Sequence, residues 1–314
     1  MKELKIVFLD AGTVTLEDNI EELSSIGTLK LYKSTPQDLV IERAAGCDVL
    51  ITNKVKITKE VIDALPSLKM ICEAATGTDN IDVEYATGKG IPVHNVKGYS
   101  TDSVVQLTFT MLLAISTHIQ YFDNAVKSGS YGKSGCFTDI TRSYMELAGK
   151  RYGIIGLGNI GSKVAEVATA FGMEVLYYPT SGKPHTDKYP AVYLDELMKN
   201  CDFISVHAPM NNRTRNLITY EKLSLMKPSA YIFNLGRGGI INEADLVRAL
   251  NEGKLAGAGI DVFTSEPLPA DSPYHNLIDK EKIILTPHIG WASKEARQRL
   301  IEGIAKNIKN IFSD

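Results

Sequence analysis

Three side chains of complementary chemistry stand just beyond strand-like runs in the second half of the chain. Residues 230–235 lead into Gly236-Arg237-Gly238-Gly239, residues 256–262 contain Asp261 and lead into Ser265-Glu266-Pro267, and residues 282–285 lead into Thr286-Pro287-His288. A guanidinium fork grips a carboxylate, an imidazole gives or takes a proton near neutral pH, and a carboxylate beside that imidazole favours its charged form. Beside a nicotinamide, such a set suffices to reduce a 2-oxo acid. Each residue alone has an ordinary reading, as a surface charge or a structural histidine. The weight lies in their occurrence at successive strand ends, where ligands bind in open parallel sheets.

Upstream, Tyr152-Gly153-Ile154-Ile155 leads into Gly156-Leu157-Gly158-Asn159-Ile160-Gly161, and a helical run through Val164, Ala165, Val167, Ala168 and Phe171 follows. Between a strand and a helix, this glycine spacing allows a tight turn and a close approach of backbone to a pyrophosphate seated on the helix N-terminus. An acidic partner for the adenosine ribose diol is expected about 20 residues on. Here the second strand instead ends in Pro179-Thr180-Ser181-Gly182-Lys183. Without that carboxylate, NAD loses a contact and NADP loses a repulsion. Thr180, Ser181 and Lys183 could hold a 2'-phosphate; equally, backbone groups and hydroxyls could bind the plain diol.

The elements that must position these groups form two series. Short apolar runs at residues 5–10, 28–33, 48–53, 70–75 and 91–96 start 20 to 23 residues apart, with helical patterns such as 35–45 and 58–65 between them. Strands alternating with helices at this spacing predict a parallel α/β sheet. A second, larger series runs through 152–156, 174–178, 203–207, 230–235, 256–262 and 282–285. Between the two, residues 101–117 are apolar on every face, which suits a buried helix, one that could lie between domains. Residues 120–146 show no clean periodicity and read as an arm or long connection. Residues 294–312 close the chain with Ala296, Leu300, Ile304, Ile308 and Phe312 on one helical stripe.

The chain's 314 residues make two domains the expectation. With 44% apolar and 23% charged residues the composition is that of an ordinary folded protein, and a net charge of -3 supplies no basic field for nucleic acid or an anionic membrane. Cys47, Cys72, Cys136 and Cys201 lack zinc-ligand or disulfide-framework spacing, so no metal is expected. No apolar run reaches the roughly 18 residues of a membrane span. Met1-Lys2-Glu3-Leu4 shows no apolar signal region, and a reducing, cytoplasmic setting is expected.

Gly149-Lys150 before the glycine loop, His207-Ala208-Pro209, residues 233–239 (FNLGRGG), residues 257–263 (GAGIDVF) with Glu266-Pro267, and Thr286-Pro287-His288-Ile289-Gly290 together resemble the D-isomer-specific 2-hydroxyacid dehydrogenases over nearly the whole chain. Residues 95–104 and 291–297 look most like the glycerate dehydrogenase (hydroxypyruvate reductase) branch. The resemblance implies two Rossmann-like or flavodoxin-like parallel-sheet α/β domains with an interdomain active-site cleft. The substrate-binding domain would take residues 1–98 plus 289–314, and the NAD(P)-binding domain residues 99–288 with a dimerisation arm at 117–146.

By motif, Arg237 corresponds to the group that binds the substrate carboxylate and carbonyl oxygen, His288 to the acid/base, and Glu266 to the carboxylate that keeps His288 charged. Lys54, Thr76 and Gly77 correspond to further substrate contacts. Gly156, Gly158, Asn159, Ile160, Gly161, Thr180, Ser181, His207, Pro209, Thr214, Leu235, Gly236, Asp261 and Gly290 correspond to the cofactor site, with Asp261 near the nicotinamide carboxamide. Pro179 stands where most members have Asp, Lys97 where many have Pro, and Tyr131 where Trp is common. The implied reaction is reversible hydride transfer between a nicotinamide and a small 2-oxo acid, hydroxypyruvate foremost and D-lactate or another 2-hydroxy acid as the alternative. A corepressor-like dinucleotide sensor is the alternative from a different class. NAD(H) is favoured, with NADP(H) open because of Pro179. The expected partners are a small-molecule acid and a second copy of the chain, with neither nucleic acid nor membrane.

Overall fold

The computed structural model describes residues 3–14, 20–184 and 186–312. The chain divides into two compact units, Met1–Ser100 with Trp291–Asp314, and Thr101–Gly290. Each crossing stands two residues beyond the boundary expected from the sequence.

The first unit is built on five parallel strands, β1 (Leu4–Phe8), β2 (Gly27–Leu31), β3 (Val49–Thr52), β4 (Met70–Glu73) and β5 (Val93–His94), in the order β2-β1-β3-β4-β5. Strand alternation sends Ile6, Phe8, Val49, Ile51, Met70 and Cys72 to one face, and Val7, Leu9, Leu50 and Ile71 to the other. Both faces are covered, so β3 and β4 are buried along their whole length, as parallel strands usually are. The helix Lys294–Phe312 covers the first face. Its expected stripe at Ala296, Leu300, Ile304 and Ile308 is widened by Ile301 and Ala305, while Phe312 is only partly buried. Each fully buried Leu or Ile here contributes about 1.5–3 kcal/mol over an exposed position.

The second unit carries six parallel strands, β6 (Arg151–Ile155), β7 (Glu174–Tyr178), β8 (Phe203–Val206), β9 (Tyr231–Asn234), β10 (Gly257–Ile260) and β11 (Ile283–Leu285), in the order β11-β10-β9-β8-β6-β7. The strand order reverses between β6 and β8, the place where open α/β sheets leave a crevice. The helix Thr101–Ser116 packs with the helix Asn159–Ala170 against one face of this sheet through Val104, Met111, Leu112, Ile115, Val164 and Ala168. It keeps a narrow exposed stripe at Asp102, Gln106, Thr110 and Leu113. The connection expected over 120–146 is partly helical, with Ile119–Lys127 and Ser130–Lys133. The spacing of Ile119, Phe122 and Val126 carries this first helix, and the run is too short to stand out among the polar residues around it. Among the described residues no helix is long and apolar enough to cross a membrane.

Candidate active site

The glycine loop forms one wall of a crevice at the strand reversal. Gly156 follows β6 and its N–H donates to the Tyr178 carbonyl (3.1 Å), which ties the turn to the end of β7. A Cβ on Gly161 would lie 2.2 Å from the Gly156 carbonyl oxygen, so only glycine lets the helix Asn159–Ala170 approach the strand this closely. Gly158 is the opposite case. A Cβ there would meet nothing within 4 Å, and it would project into open space beside the first turn, at Asn159 and Ile160, where helix N–H groups have no intrahelical partners. The crevice has a volume of about 390 Å³ and is lined by Gly156, Leu157, Gly158, Pro179, Thr180, Ser181, His207, Pro209 and Asn211. An open cradle over a helix N-terminus is chemically suited to a pyrophosphate, and a nicotinamide dinucleotide fits these residues.

His207 contributes a neutral wall. Its Nε2 pairs with the Ser205 hydroxyl at 2.9 Å, its Nδ1 is buried without a partner, and burial pushes its pKa down to about 3. Thr214 does not line the crevice as the sequence suggests. It is fully buried, its hydroxyl donates to the Pro209 carbonyl (2.6 Å) and accepts from the Asn211 N–H (2.8 Å), and it therefore shapes the loop 209–214 from within. Leu235 and Gly236 lie at the end of the next strand, where the Gly236 N–H donates to Asn234 Oδ1 (3.1 Å).

Arg237, Glu266 and His288 come from the ends of β9, β10 and β11. The Asn234 side chain folds the first of these loops, since its Nδ2 also donates to the Arg237 carbonyl (2.9 Å). The Arg237 guanidinium donates through Nη1 to the Gly236 carbonyl (3.0 Å). A Cβ on Gly238 would sit 2.0 Å from the Phe263 carbonyl, so this loop lies directly against the one carrying Glu266. Glu266 Oε1 accepts the Phe263 N–H (3.0 Å), and its Oε2 lies 2.7 Å from His288 Nδ1. The two side chains are 31% and 23% exposed, enough to meet a ligand. His288 Nε2 has no hydrogen-bond partner among the described residues.

His288 has a left-handed backbone (φ 54°), uncommon for a non-glycine residue. Asp261 holds that turn. It is almost fully buried and accepts the Thr286 hydroxyl (2.6 Å) and the N–H groups of Ile289 and Gly290 (both 2.8 Å). Burial pushes its pKa upward, opposed by those three hydrogen bonds and by the charge of His288. The carboxylate expected near a carboxamide is thus turned inward, onto the loop that carries the imidazole.

In the first unit, Lys54 follows β3 and is exposed. Its N–H donates to Asp10 Oδ2 (2.7 Å), beside those of Asn53 (2.9 Å) and Val55 (3.3 Å). Thr76 and Gly77 follow β4, and the Thr76 hydroxyl donates to the Val96 carbonyl (3.1 Å). Beneath them Glu73 is fully buried, accepts from Asn80 Nδ2 (3.0 Å), and is pushed up to about 9 by burial.

Residues 109–290, more than half of the chain, match the family model described as the NAD binding domain of D-isomer specific 2-hydroxyacid dehydrogenase. The chain belongs to this family of dehydrogenases. This dehydrogenase is 40% identical to a hydroxypyruvate reductase of Thermotoga maritima over 307 residues, covering 96% of each chain. It is 39% identical to a glyoxylate reductase of Thermococcus litoralis over 297 residues, 92% of this chain and 88% of the other. Among solved structures, an acyclic imino acid reductase (Bsp5) in complex with NADPH and D-Arg superposes with a TM-score of 0.87 at 31% identity, covering 98% of this chain and 97% of that one.

The dehydrogenase carries further site residues that the sequence reading passed over. Leu157 and Asn211 line the crevice, Asn234 folds the Arg237 loop, and Glu243 Oε1 accepts the Thr264 N–H (2.7 Å) to fix the loop before Glu266. The sequence offered a usable signal only for Asn211, at the same strand end as His207 and Pro209.

Proposed function

We propose that this dehydrogenase interconverts hydroxypyruvate and D-glycerate, with Arg237, Glu266 and His288 as its reacting machinery. The bound nicotinamide supplies the hydride to substrate C2 in the reducing direction. Arg237 binds the substrate carboxylate and carbonyl oxygen through its planar fork. His288 donates a proton from Nε2 to that oxygen, while Glu266 on Nδ1 fixes the ring and favours the charged imidazole. Asp261 acts as a positioning residue through the 286–290 turn. Gly156, Gly158, Asn159, Ile160 and Gly161 hold the pyrophosphate, and Thr180 and Ser181 face the adenosine ribose. His207, Pro209, Leu235, Gly236 and Gly290 complete the cofactor site. Lys54, Thr76 and Gly77 are assigned to the substrate carboxylate.

The observation that carries this reading is the 2.7 Å contact between His288 Nδ1 and Glu266, with Nε2 left for a ligand. The similarity to hydroxypyruvate reductase of Thermotoga maritima supports the choice of substrate. Steady-state reduction of hydroxypyruvate, glyoxylate, pyruvate and longer 2-oxo acids with NADH and NADPH tests it. The highest kcat/KM is expected for hydroxypyruvate, and turnover of none of them overturns the proposal.

We also propose a homodimer joined through residues 117–146. In support, Val126, Phe137, Ile140 and Tyr144 in this segment are all exposed, Phe137 at 94%. Sedimentation of a variant lacking the segment should give a monomer; a surviving dimer would reject this assembly.

A further inference from the structure

Next to the crevice, against Ser181 of its lining, stands a cation that the glycine motif does not require. Arg213 lies in the loop after β8, and its Nη1 donates to the Ser181 carbonyl (2.5 Å), which ties that loop to the turn after β7. The turn is built to admit it. Gly182 adopts φ +84°, its N–H donates to the Pro179 carbonyl (2.9 Å), and a Cβ there would lie 3.0 Å from Arg213 Nη1. The Arg213 loop is itself pinned, since the Arg213 N–H donates to Asn211 Oδ1 (2.8 Å) and Thr214 closes the loop from beneath.

Arg142, Arg151 and Arg248 of this unit each pair with a glutamate, whereas Arg213, like the exposed Arg215, has no carboxylate partner among the described residues; of these two, Arg213 is the one that reaches the turn after β7. None of the residues lining the crevice is acidic. Two hydroxyl residues, Thr180 and Ser181, stand on the same turn, and Lys183 follows. An arginine tied to the backbone of the turn that carries these hydroxyl residues, beside a crevice with no acidic lining residue, favours a phosphate monoester over a ribose diol, which carries no charge for it to neutralise.

We propose that Arg213, with Thr180 and Ser181, forms a subsite for the 2'-phosphate of the adenosine ribose, so that this dehydrogenase prefers NADP(H) to NAD(H). The proposal rests on reading the crevice as the dinucleotide site, and it reverses the preference for NAD(H) drawn from the sequence. Because Arg213 is already fixed by its loop and by Ser181, little side-chain freedom is lost when the phosphate arrives. The guanidinium adds to the phosphorylated ligand only, so its removal separates the two cofactors.

Calorimetric titration of the full chain with NADPH, NADH, adenosine 2',5'-bisphosphate and 5'-AMP tests this without any turnover. The parent protein should bind NADPH at least about 10-fold more tightly than NADH, and the bisphosphate more tightly than 5'-AMP. Arg213→Gln should weaken NADPH and the bisphosphate by roughly 10- to 100-fold and leave NADH within about twofold, while Arg213→Lys restores part of the loss. Pro179→Asp should lower NADPH affinity and raise that of NADH. Equal affinities in the parent, or an equal loss of both cofactors in Arg213→Gln, would overturn the subsite and leave the dehydrogenase reading standing. Binding of neither dinucleotide would overturn both.

Discussion

The two sheets share a topology and use its crevice in opposite ways. In each, the first strand lies between the second and the third, and the order reverses there. In the first unit the space beyond β1 and β3 is filled by the chain's own anion. The buried Asp10 carboxylate accepts the N–H groups of Asn53, Lys54 and Val55. In the second unit the corresponding strand ends, after β6 and β8, present Gly158 and His207 around an open volume of about 390 Å³. Backbone N–H groups at a strand reversal attract negative charge in both cases. The difference lies in whether a side chain supplies that charge permanently or a ligand brings it.

Burial marks the same contrast. Asp10 and Glu73 are both pushed upward by burial, and neither faces a partner of the exposed His288–Glu266 kind. The first unit spends its acids on holding loops. The second uses one, Asp261, to hold a loop and leaves another, Glu266, 2.7 Å from the partly exposed imidazole of His288.

The largest expected effect lies in the second unit. His288→Asn should lower the rate of 2-oxo acid reduction by about 10²- to 10⁴-fold while dinucleotide affinity, read by calorimetry, is retained. A comparable loss of affinity would mean that the imidazole is part of the cofactor site and not the proton donor. Next, Gly158→Val should fill the open cradle and weaken dinucleotide binding by about 100-fold or more, roughly the loss of a close backbone–phosphate approach. Its thermal midpoint should move far less than its affinity, because nothing lies within 4 Å of a Cβ at this position.

Asp10→Ala is the mirror image. It strips three backbone N–H groups of their acceptor, so urea unfolding should show a loss of about 2–4 kcal/mol, with dinucleotide affinity intact. If Asp10→Ala weakened the dinucleotide as strongly as Gly158→Val, the two crevices would not be functionally separate.

The last effect is a dependence on pH, absent in acid and growing with pH. Glu73 holds its proton in the folded chain until about pH 9, whereas the unfolded chain releases it near 4.5. The native state therefore binds more protons than the unfolded state across that window, and stability falls as pH rises through it. Glu73→Gln removes the penalty. Its advantage over the parent should be negligible at pH 4 and grow by up to about 1.4 kcal/mol for each pH unit between the unfolded and folded values. Parallel unfolding curves with no pH trend would show that Glu73 is ionised in the fold.

Much of this was legible in the sequence because it is local. The run at 174–178 coincides with β7, the closing helix spans 294–312 as its stripe predicts, and the glycine loop stands between a strand and a helix as its spacing requires. What was not legible depends on groups far apart in the chain. Asp261 reads as a cofactor contact until Thr286, Ile289 and Gly290 are seen to occupy its oxygens. Thr214 reads as a lining residue until its hydroxyl is found folded into its own loop. Arg213 is an unremarkable surface cation in sequence, and only the approach of the loop after β8 to Ser181 sets it at the crevice. The burial of Asp10 and Glu73 follows from strand neighbours that a single run does not name.

The most direct measurement of the central claim is the initial rate of dehydrogenation of D-glycerate and L-glycerate, each offered with NAD⁺ and with NADP⁺. Oxidation of the D-isomer alone, abolished in Arg237→Ala and His288→Asn, is the predicted result. Oxidation of the L-isomer, or of neither, would contradict it.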